Sequence, residues 1–156
     1  MTGTARQVTV ERVVAAAPDA VYELVSDVTQ MGRWSPENDT CRWLGPPGAV
    51  GSRFRGENRN GWRRWSTTCV VAAADPGRRF AFDVLFLRRW PAVRWTYEFE
   101  PDPAGCRVIE TWTDRRLRWQ IQLSTAITGV ADRASHNRAG MEATLESLAL
   151  ATGGLR

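Results

Sequence analysis

One histidine stands among the 156 residues, with three cysteines and no lysine at all. His136 has no second histidine with which to share a metal, and no Gly-x-Ser-x-Gly elbow or simpler Gly-x-Ser element supplies an activated serine. A phosphate-cradling glycine loop and a Gly-x-Gly-x-x-Gly element are missing too. These gaps set aside the hydrolase, metalloenzyme, kinase and dinucleotide-enzyme classes, and no cofactor is implied. Cys41, Cys69 and Cys106 are odd in number and widely scattered, with neither disulfide-framework nor zinc spacing, so they read as reduced thiols. No apolar stretch approaches the ~20 residues of a membrane span. The opening MTGTARQVTVER lacks the apolar segment of a secretory signal, so a cytoplasmic location is expected.

All 21 basic residues are arginine, against 17 acidic ones, for a net charge of +4. Codon bias is enough to produce that choice and marks a GC-rich bacterial genome. The positive charge runs along the whole chain, whereas nucleic-acid binders concentrate it in a patch or arm, so nucleic acid is not an expected partner. With 43% hydrophobic and 24% charged residues, the composition is that of a folded protein. The length suits a single domain over residues 1–156, with a core from about 8 to 150.

Residues Gln7 to Ala16 carry four valines in loose alternation and predict a strand. Pro18 suits the first turn of a helix with Ala20, Val21, Leu24 and Val25 on its apolar side. A second helical piece, Thr29–Arg33, stops at Trp34-Ser35-Pro36. From Thr40 to Thr113 strands alternate with turn signals at Pro46-Pro47-Gly48, Asn60-Gly61, Asp75-Pro76-Gly77, Arg89-Trp90-Pro91 and Asp102-Pro103-Ala104-Gly105. Spacing of roughly ten residues between turns predicts an antiparallel meander. After Trp119 the period becomes that of a helix, with Ile127, Val130, Ala131, Ala134, Met141, Leu145 and Leu148 on one stripe and Gly153-Gly154 ending it. The expected fold is α+β: a curved antiparallel sheet of about seven strands wrapped around a long C-terminal helix, with two short helices after the first strand.

Strand parity places Phe80, Phe82, Val84 and Phe86 on one face, and Val93, Trp95, Tyr97 and Phe99 on one face of the next strand. Val108 and Trp112 continue the set, joined by Trp65, Thr67, Cys69 and Val71. The helix opposite offers small residues: Ala126, Gly129, Ala134, Gly140 and Ala143. Either the large rings fill the interior, or the sheet and slender helix enclose an apolar cavity of the size ligands use, ~300–1,000 Å³.

The stretch Val8–Val28, with Ala17-Pro18-Asp19-Ala20-Val21-Tyr22 and Val25-Ser26-Asp27-Val28, resembles the opening of START-like (SRPBCC) proteins. Met31-Gly32-Arg33-Trp34-Ser35-Pro36 is similar to their second short helix and its exit, and Gly51-Ser52-Arg53-Phe54 to the strand that follows. His136-Asn137-Arg138-Ala139-Gly140-Met141-Glu142 resembles the terminal helix of bacterial polyketide cyclase/dehydrase-type members. The resemblance covers about Val8 to Leu150. It implies a helix-grip fold whose cavity holds polyketides, lipids or isoprenoid-like molecules, with some members catalysing cyclisation or dehydration and others only carrying ligand. It also places the Trp34 region at the cavity border, so Trp34 either lines the cavity or anchors the short helix to the sheet. The family's aromatase/cyclases use an inward arginine and a hydroxyl on the strand after the hairpin. Thr67 can supply the hydroxyl, but Cys69 stands where that arginine is expected, which removes the cation that would stabilise an enolate.

Few polar groups point toward the expected cavity. Asn58 shares the face of Phe54 and Gly56, and Thr67 and Cys69 share that of Trp65. Glu110 alternates with Val108 and Trp112, where a desolvated carboxyl would have a raised pKa and act as a general acid or base. Pairing with an arginine, or a bulge in its strand, is the structural alternative. Tyr97, inward between Trp95 and Phe99, would donate to a substrate carbonyl or simply find a backbone partner. Glu110 and Tyr97 are therefore the catalytic candidates. Trp34, Phe54, Asn58, Trp65, Thr67, Cys69, Phe82, Trp95, Trp112, Asn137 and Met141 are the ligand-binding candidates, and no metal site is expected. His136 falls opposite the stripe and four residues after Asp132, which predicts a surface ion pair. Arg138 falls within the stripe, so it either meets a carboxylate such as Glu142 or reaches out to solvent.

One end of the sheet gathers Trp62, Arg63, Arg64, Leu87, Arg88, Arg89, Trp90, Arg116, Arg118 and Trp119. Such a surface suits an anionic membrane or an acidic carrier protein, or else cation–π packing that caps the barrel. The leading function is binding of a hydrophobic small molecule, with or without its cyclisation or dehydration. The alternatives are a non-catalytic carrier and an interaction module for protein or nucleic acid that uses the Arg/Trp end. An exposed edge strand leaves monomer and homodimer both open.

Overall fold

Alternate valines build β1 (Arg6–Val14), with Val8, Val10 and Val14 turned inward and the residues between them exposed. Proline at the start opens α1 (Pro18–Ser26), which buries Val21, Tyr22 and Val25. A 3₁₀ helix (Val28–Arg33) follows, its first turn capped by the Asp27 carboxylate, which accepts from the Thr29 amide. The computed structural model describes residues 6–153.

β2 (Asn38–Trp43), β3 (Arg53–Asn60), β4 (Arg63–Asp75), β5 (Arg79–Phe86), β6 (Trp90–Asp102) and β7 (Gly105–Asp114) form the meander, and β1 pairs with β7. The sheet has seven strands in the order β1-β7-β6-β5-β4-β3-β2, all antiparallel. Register shifts at Asn38/Thr40, Val71/Ala73 and Val84/Leu85 bend the strands and add to the natural twist that curves the sheet.

The β5–β6 turn departs from expectation. The chain reverses at Leu87-Arg88, and Trp90 and Pro91 already belong to β6. Leu87 and Arg88 have φ of 51° and 61°, the left-handed pair of a tight hairpin turn that usually takes Asn-Gly. Pro91 lies opposite Leu85 beside the register shift, a place where a strand tolerates a missing N–H.

The helical stripe also misleads at its start. Two helices form, α2 (Arg118–Thr128) and α3 (Arg133–Thr152), where periodicity predicts one. Gly129, with φ of 73°, ends α2, and the Asp132 carboxylate caps α3 by accepting from the Ser135 amide. Apolar spacing continues across this break, which is why the pattern hides it. Ile127 is consequently exposed and Val130 buried in the connection. Gly153 caps α3, and Gly154 lies outside the described residues.

Tyr22 meets Phe80 and Phe99 edge-on, with ring centroids 6.3 and 5.8 Å away. Val71, Phe80, Phe99, Val108, Leu145 and Leu148 complete a solid core at the end of the sheet covered by α1 and the C-terminal part of α3. Among the described residues, no helix is long and apolar enough to cross a membrane.

Candidate functional site

The inner strands are solid at one end and hollow at the other. On β4, Val71 packs into the core while Cys69, Thr67 and Trp65 line open space; on β5 the change comes between Phe80 and Phe82. On β6 it comes between Phe99 and Tyr97, and on β7 between Val108 and Glu110. The hollow is a cavity of about 970 Å³. Its helical wall comes from Asn137, Gly140, Met141 and Thr144, and these modest side chains leave the rings of the sheet without partners across the gap.

Tyr97 and Glu110 therefore stand on the cavity floor. They are directly opposite in the β6–β7 register, and the Tyr97 hydroxyl donates to Glu110 Oε1 at 2.8 Å. Glu110 is 2% exposed and its Oε2 has no hydrogen-bond partner. Neither structural alternative for Glu110 holds: β7 pairs without a register shift on both sides, and among the described residues the carboxyl makes no salt bridge. Burial pushes its pKa up to about 8, against the partial offset of the Tyr97 hydrogen bond. The raised pKa favours the neutral acid at pH 7, and Oε2, the oxygen without a partner, is the one free to carry a donatable proton. Burial, and then the neighbouring Glu110, push Tyr97 well above the ordinary phenol value, so its hydroxyl remains a donor.

A second polar group crosses β2, β3 and β4. Asn58 Nδ2 donates to Thr67 Oγ1 at 3.2 Å, Asn38 Nδ2 donates to Asn58 Oδ1 at 3.1 Å, and the Cys41 thiol reaches Asn38 Oδ1 at 3.5 Å. Gly56 makes room for this band, since a Cβ there would lie 3.0 Å from Thr67 Oγ1 and 3.3 Å from Asn38 Nδ2. Cys69 is buried beside it, and desolvation raises its pKa, so the position where the resemblance places an arginine holds a neutral thiol. Desolvation likewise pushes Cys41 up to about 11.

The third group was not legible in the sequence. Glu37, just before β2, accepts from Arg133 Nη1 at 2.9 Å on both carboxylate oxygens and lies 2.8 Å from His136 Nε2. Arg133 Nη1 also reaches Asn137 Oδ1 at 3.5 Å. All four residues line the cavity where α3 begins. Glu37 and Arg133 are 96 positions apart, a separation at which no local pattern connects them. His136 thus pairs with Glu37 and not with Asp132, which is engaged in capping α3. Arg138 is exposed, and Arg133 is the buried arginine of this helix. Arg116, also in the cavity lining, is held by Asp114 at 2.8 and 2.9 Å, and donates to Ser124 Oγ at 3.0 Å.

Of the residues nominated from the sequence, Phe54, Asn58, Trp65, Thr67, Cys69, Phe82, Trp95, Trp112, Asn137 and Met141 line the cavity together with Tyr97 and Glu110. Trp34 does not. It is buried at the exit of the 3₁₀ helix with the Arg33 guanidinium 4.6 Å from its ring centre, and it anchors that helix.

A family model described as polyketide cyclase/dehydrase and lipid transport matches residues 5–151. The chain belongs to this family. No curated protein matches it. Among solved structures, the polyketide-cyclase-like protein Cgl2372 of Corynebacterium glutamicum is 28% identical, with a TM-score of 0.66 over 96% of this chain and 94% of that one. Major latex-like protein 151 of Panax ginseng has a TM-score of 0.73 at 13% identity, covering 96% of this chain and 98% of its own. The di-domain aromatase/cyclase StfQ of the steffimycin biosynthetic pathway has a TM-score of 0.70 at 15% identity, covering 94% of this chain and 50% of its own. The polyketide cyclase/dehydrase-like fold therefore extends over nearly the whole chain. Within that fold, this chain carries the floor pair Tyr97–Glu110 and the rim cluster around Glu37.

Proposed function

We propose that the protein binds a hydrophobic small molecule of the polyketide, lipid or isoprenoid class in the cavity, with a carbonyl or hydroxyl oxygen of the ligand seated on Glu110. The observation that carries this is the buried, unpartnered Oε2 on the cavity floor. An orphaned buried polar atom is costly unless something meets it, and a neutral carboxyl meets an oxygen acceptor by donating its proton. Apolar walls from Phe54, Phe82, Trp95, Trp112 and Met141 would bury the remainder of the ligand.

The same pair supports a dehydration of a β-hydroxy ketone. In one concerted step Glu110 gives its Oε2 proton to the leaving hydroxyl as the C–O bond breaks and water departs with that electron pair, while the carboxylate so formed, steadied by the Tyr97 hydroxyl, takes the proton α to the carbonyl and the C–H pair becomes the C=C bond. The net change is loss of one water, and Glu110 ends protonated. A water-poor cavity favours this, because no bulk solvent competes for the proton.

The test is native mass spectrometry of protein purified from its host, joined to a titration with the neutral fluorophore N-phenyl-1-naphthylamine. A co-purified organic mass and saturable probe uptake, abolished by Val84→Trp in the cavity wall, are the expected results. Unsaturable uptake that Val84→Trp leaves unchanged would refute cavity binding. If the released ligand turns over in the wild type and not in Glu110→Gln, dehydration stands; if both merely retain it unchanged, the protein is a carrier.

A further inference from the structure

Large apolar side chains are exposed at one end of the molecule. Trp62 is 82% exposed and Leu87 64%, and Trp90, Leu117, Trp119 and Leu123 are exposed around them. They come from the β3–β4 turn, the β5–β6 turn with the first residue of β6, and α2 with the residue that caps it, and Phe86 packing on Trp119 at 5.3 Å joins the last two regions. Cation–π contacts exist here, Arg63 on Trp62 at 4.6 Å and Arg89 on Trp90 at 5.3 Å. They do not cap the barrel, because the rings themselves stay in solvent.

Positive charge predominates at this end. No acidic residue occurs between Glu57 and Asp75, between Asp83 and Glu98, or between Asp114 and Asp132. The three segments carry nine arginines; Arg59 and Arg64 pair with Asp39, Arg94 with Asp83 and Arg116 with Asp114, which leaves Arg63, Arg88, Arg89, Arg115 and Arg118 without a carboxylate partner among the described residues. The Leu87-Arg88 turn is held in a left-handed conformation that costs free energy for such residues, and it leaves both side chains exposed. The cavity lining itself runs out to Gly61, Leu87, Arg88, Leu123 and Ile127.

We propose that this end docks on an anionic lipid bilayer, with Trp62, Leu87 and Trp90 entering the interface and the arginines meeting lipid phosphates, so that the cavity mouth opens onto the membrane. The proposal rests on the ligand-binding reading for its purpose but not for its test. A nucleic acid would meet the arginines and stack on the indoles but leave Leu87, Leu117 and Leu123 in water, whereas a bilayer accommodates the arginines, the indoles and the leucines together.

Wild-type protein and the variant Trp62→Ser/Arg89→Glu/Trp90→Ser are compared by co-flotation with vesicles of phosphatidylcholine alone or mixed equally with phosphatidylglycerol. None of the three positions lines the cavity, and circular dichroism verifies folding. Expected are wild-type binding only to the anionic vesicles, a blue shift of tryptophan emission, and weakening as salt rises from about 0.01 M to about 0.15 M. The triple variant partitions at least about tenfold more weakly. No wild-type binding, equal binding to both vesicle types, or unchanged binding of the variant overturns the proposal. So does tight binding to heparin or an oligonucleotide without vesicle binding. N-phenyl-1-naphthylamine uptake, measured in parallel, stays unchanged in the triple variant; its loss in the wild type would sink the cavity reading while leaving the membrane result to stand.

Discussion

Glu110→Gln removes one ionisation and almost nothing else. The glutamine carbonyl can accept from the Tyr97 hydroxyl as Oε1 does, and the amide nitrogen replaces the protonated Oε2. In the native protein the Glu110 pKa is raised from 4.5 to about 8. The folded state therefore holds a proton that the unfolded state has released across that interval, and stability falls as pH rises through it. Each pH unit removes about 1.4 kcal/mol, so the full interval removes about 5 kcal/mol, with no further loss from this group above about pH 8. Glu110→Gln should match the wild type near pH 4.5 and exceed it by up to about 5 kcal/mol at pH 9, an upward shift in Tm of roughly 10 °C or more for a domain of this size. Urea unfolding of ligand-free protein at a series of pH values measures the difference, since bound ligand would add its own stabilisation. Tyr97→Phe, which takes away the one donor that favours the carboxylate, should move the window to higher pH. Parallel wild-type and Glu110→Gln curves from pH 4.5 to 8 would refute the assignment of a buried neutral acid.

Leu148→Ala, in the solid part of the core, should cost about 2–5 kcal/mol in urea unfolding, whereas Val84→Ala on the cavity wall should cost under about 1.5 kcal/mol, because no packed neighbour faces it across the void. Equal losses would contradict the hollow. Glu37→Gln should destabilise by about 2 kcal/mol and release the His136 contact, seen as a change in the histidine ring signals by NMR, since Arg133 loses its carboxylate. Gly105→Ala should cost more than about 2 kcal/mol: φ there is 142°, and a Cβ would come within 2.3 Å of the Val14 carbonyl oxygen. Cys41, Cys69 and Cys106 should resist a disulfide reagent until urea unfolds the chain, because all three are buried and desolvation raises each thiol pKa; rapid labelling in the native state would argue against that burial.

Element order and inward faces could be read from residue pattern because they are local. Alternation along β4 to β7 is enough to say that Tyr97 and Glu110 face the interior, and proline at the head of α1 marks where that helix starts. Even the Arg/Trp end follows from counting strand reversals. Where local signals compete, pattern misleads. Trp90-Pro91 looked like a turn, but the bulge at Leu85 lets the proline sit in β6 and moves the reversal to Leu87-Arg88. Apolar spacing ran through Gly129–Asp132 without a gap, so one helix stood for two.

Three features depended on distances between parts of the chain that pattern does not relate. Whether aromatic rings fill a space or line it depends on how far α3 stands from the sheet, and hydropathy is silent on that separation. Whether Glu110 is paired depends on which side chain lies opposite in the register, and β6 supplies a tyrosine where an arginine would have made it an ordinary buried ion pair. Glu37, Arg133 and His136 meet only because the segment before β2 passes the start of α3. Secondary structure and facing are consequences of neighbours in sequence; the cavity, the retained proton and the rim cluster are consequences of neighbours in space.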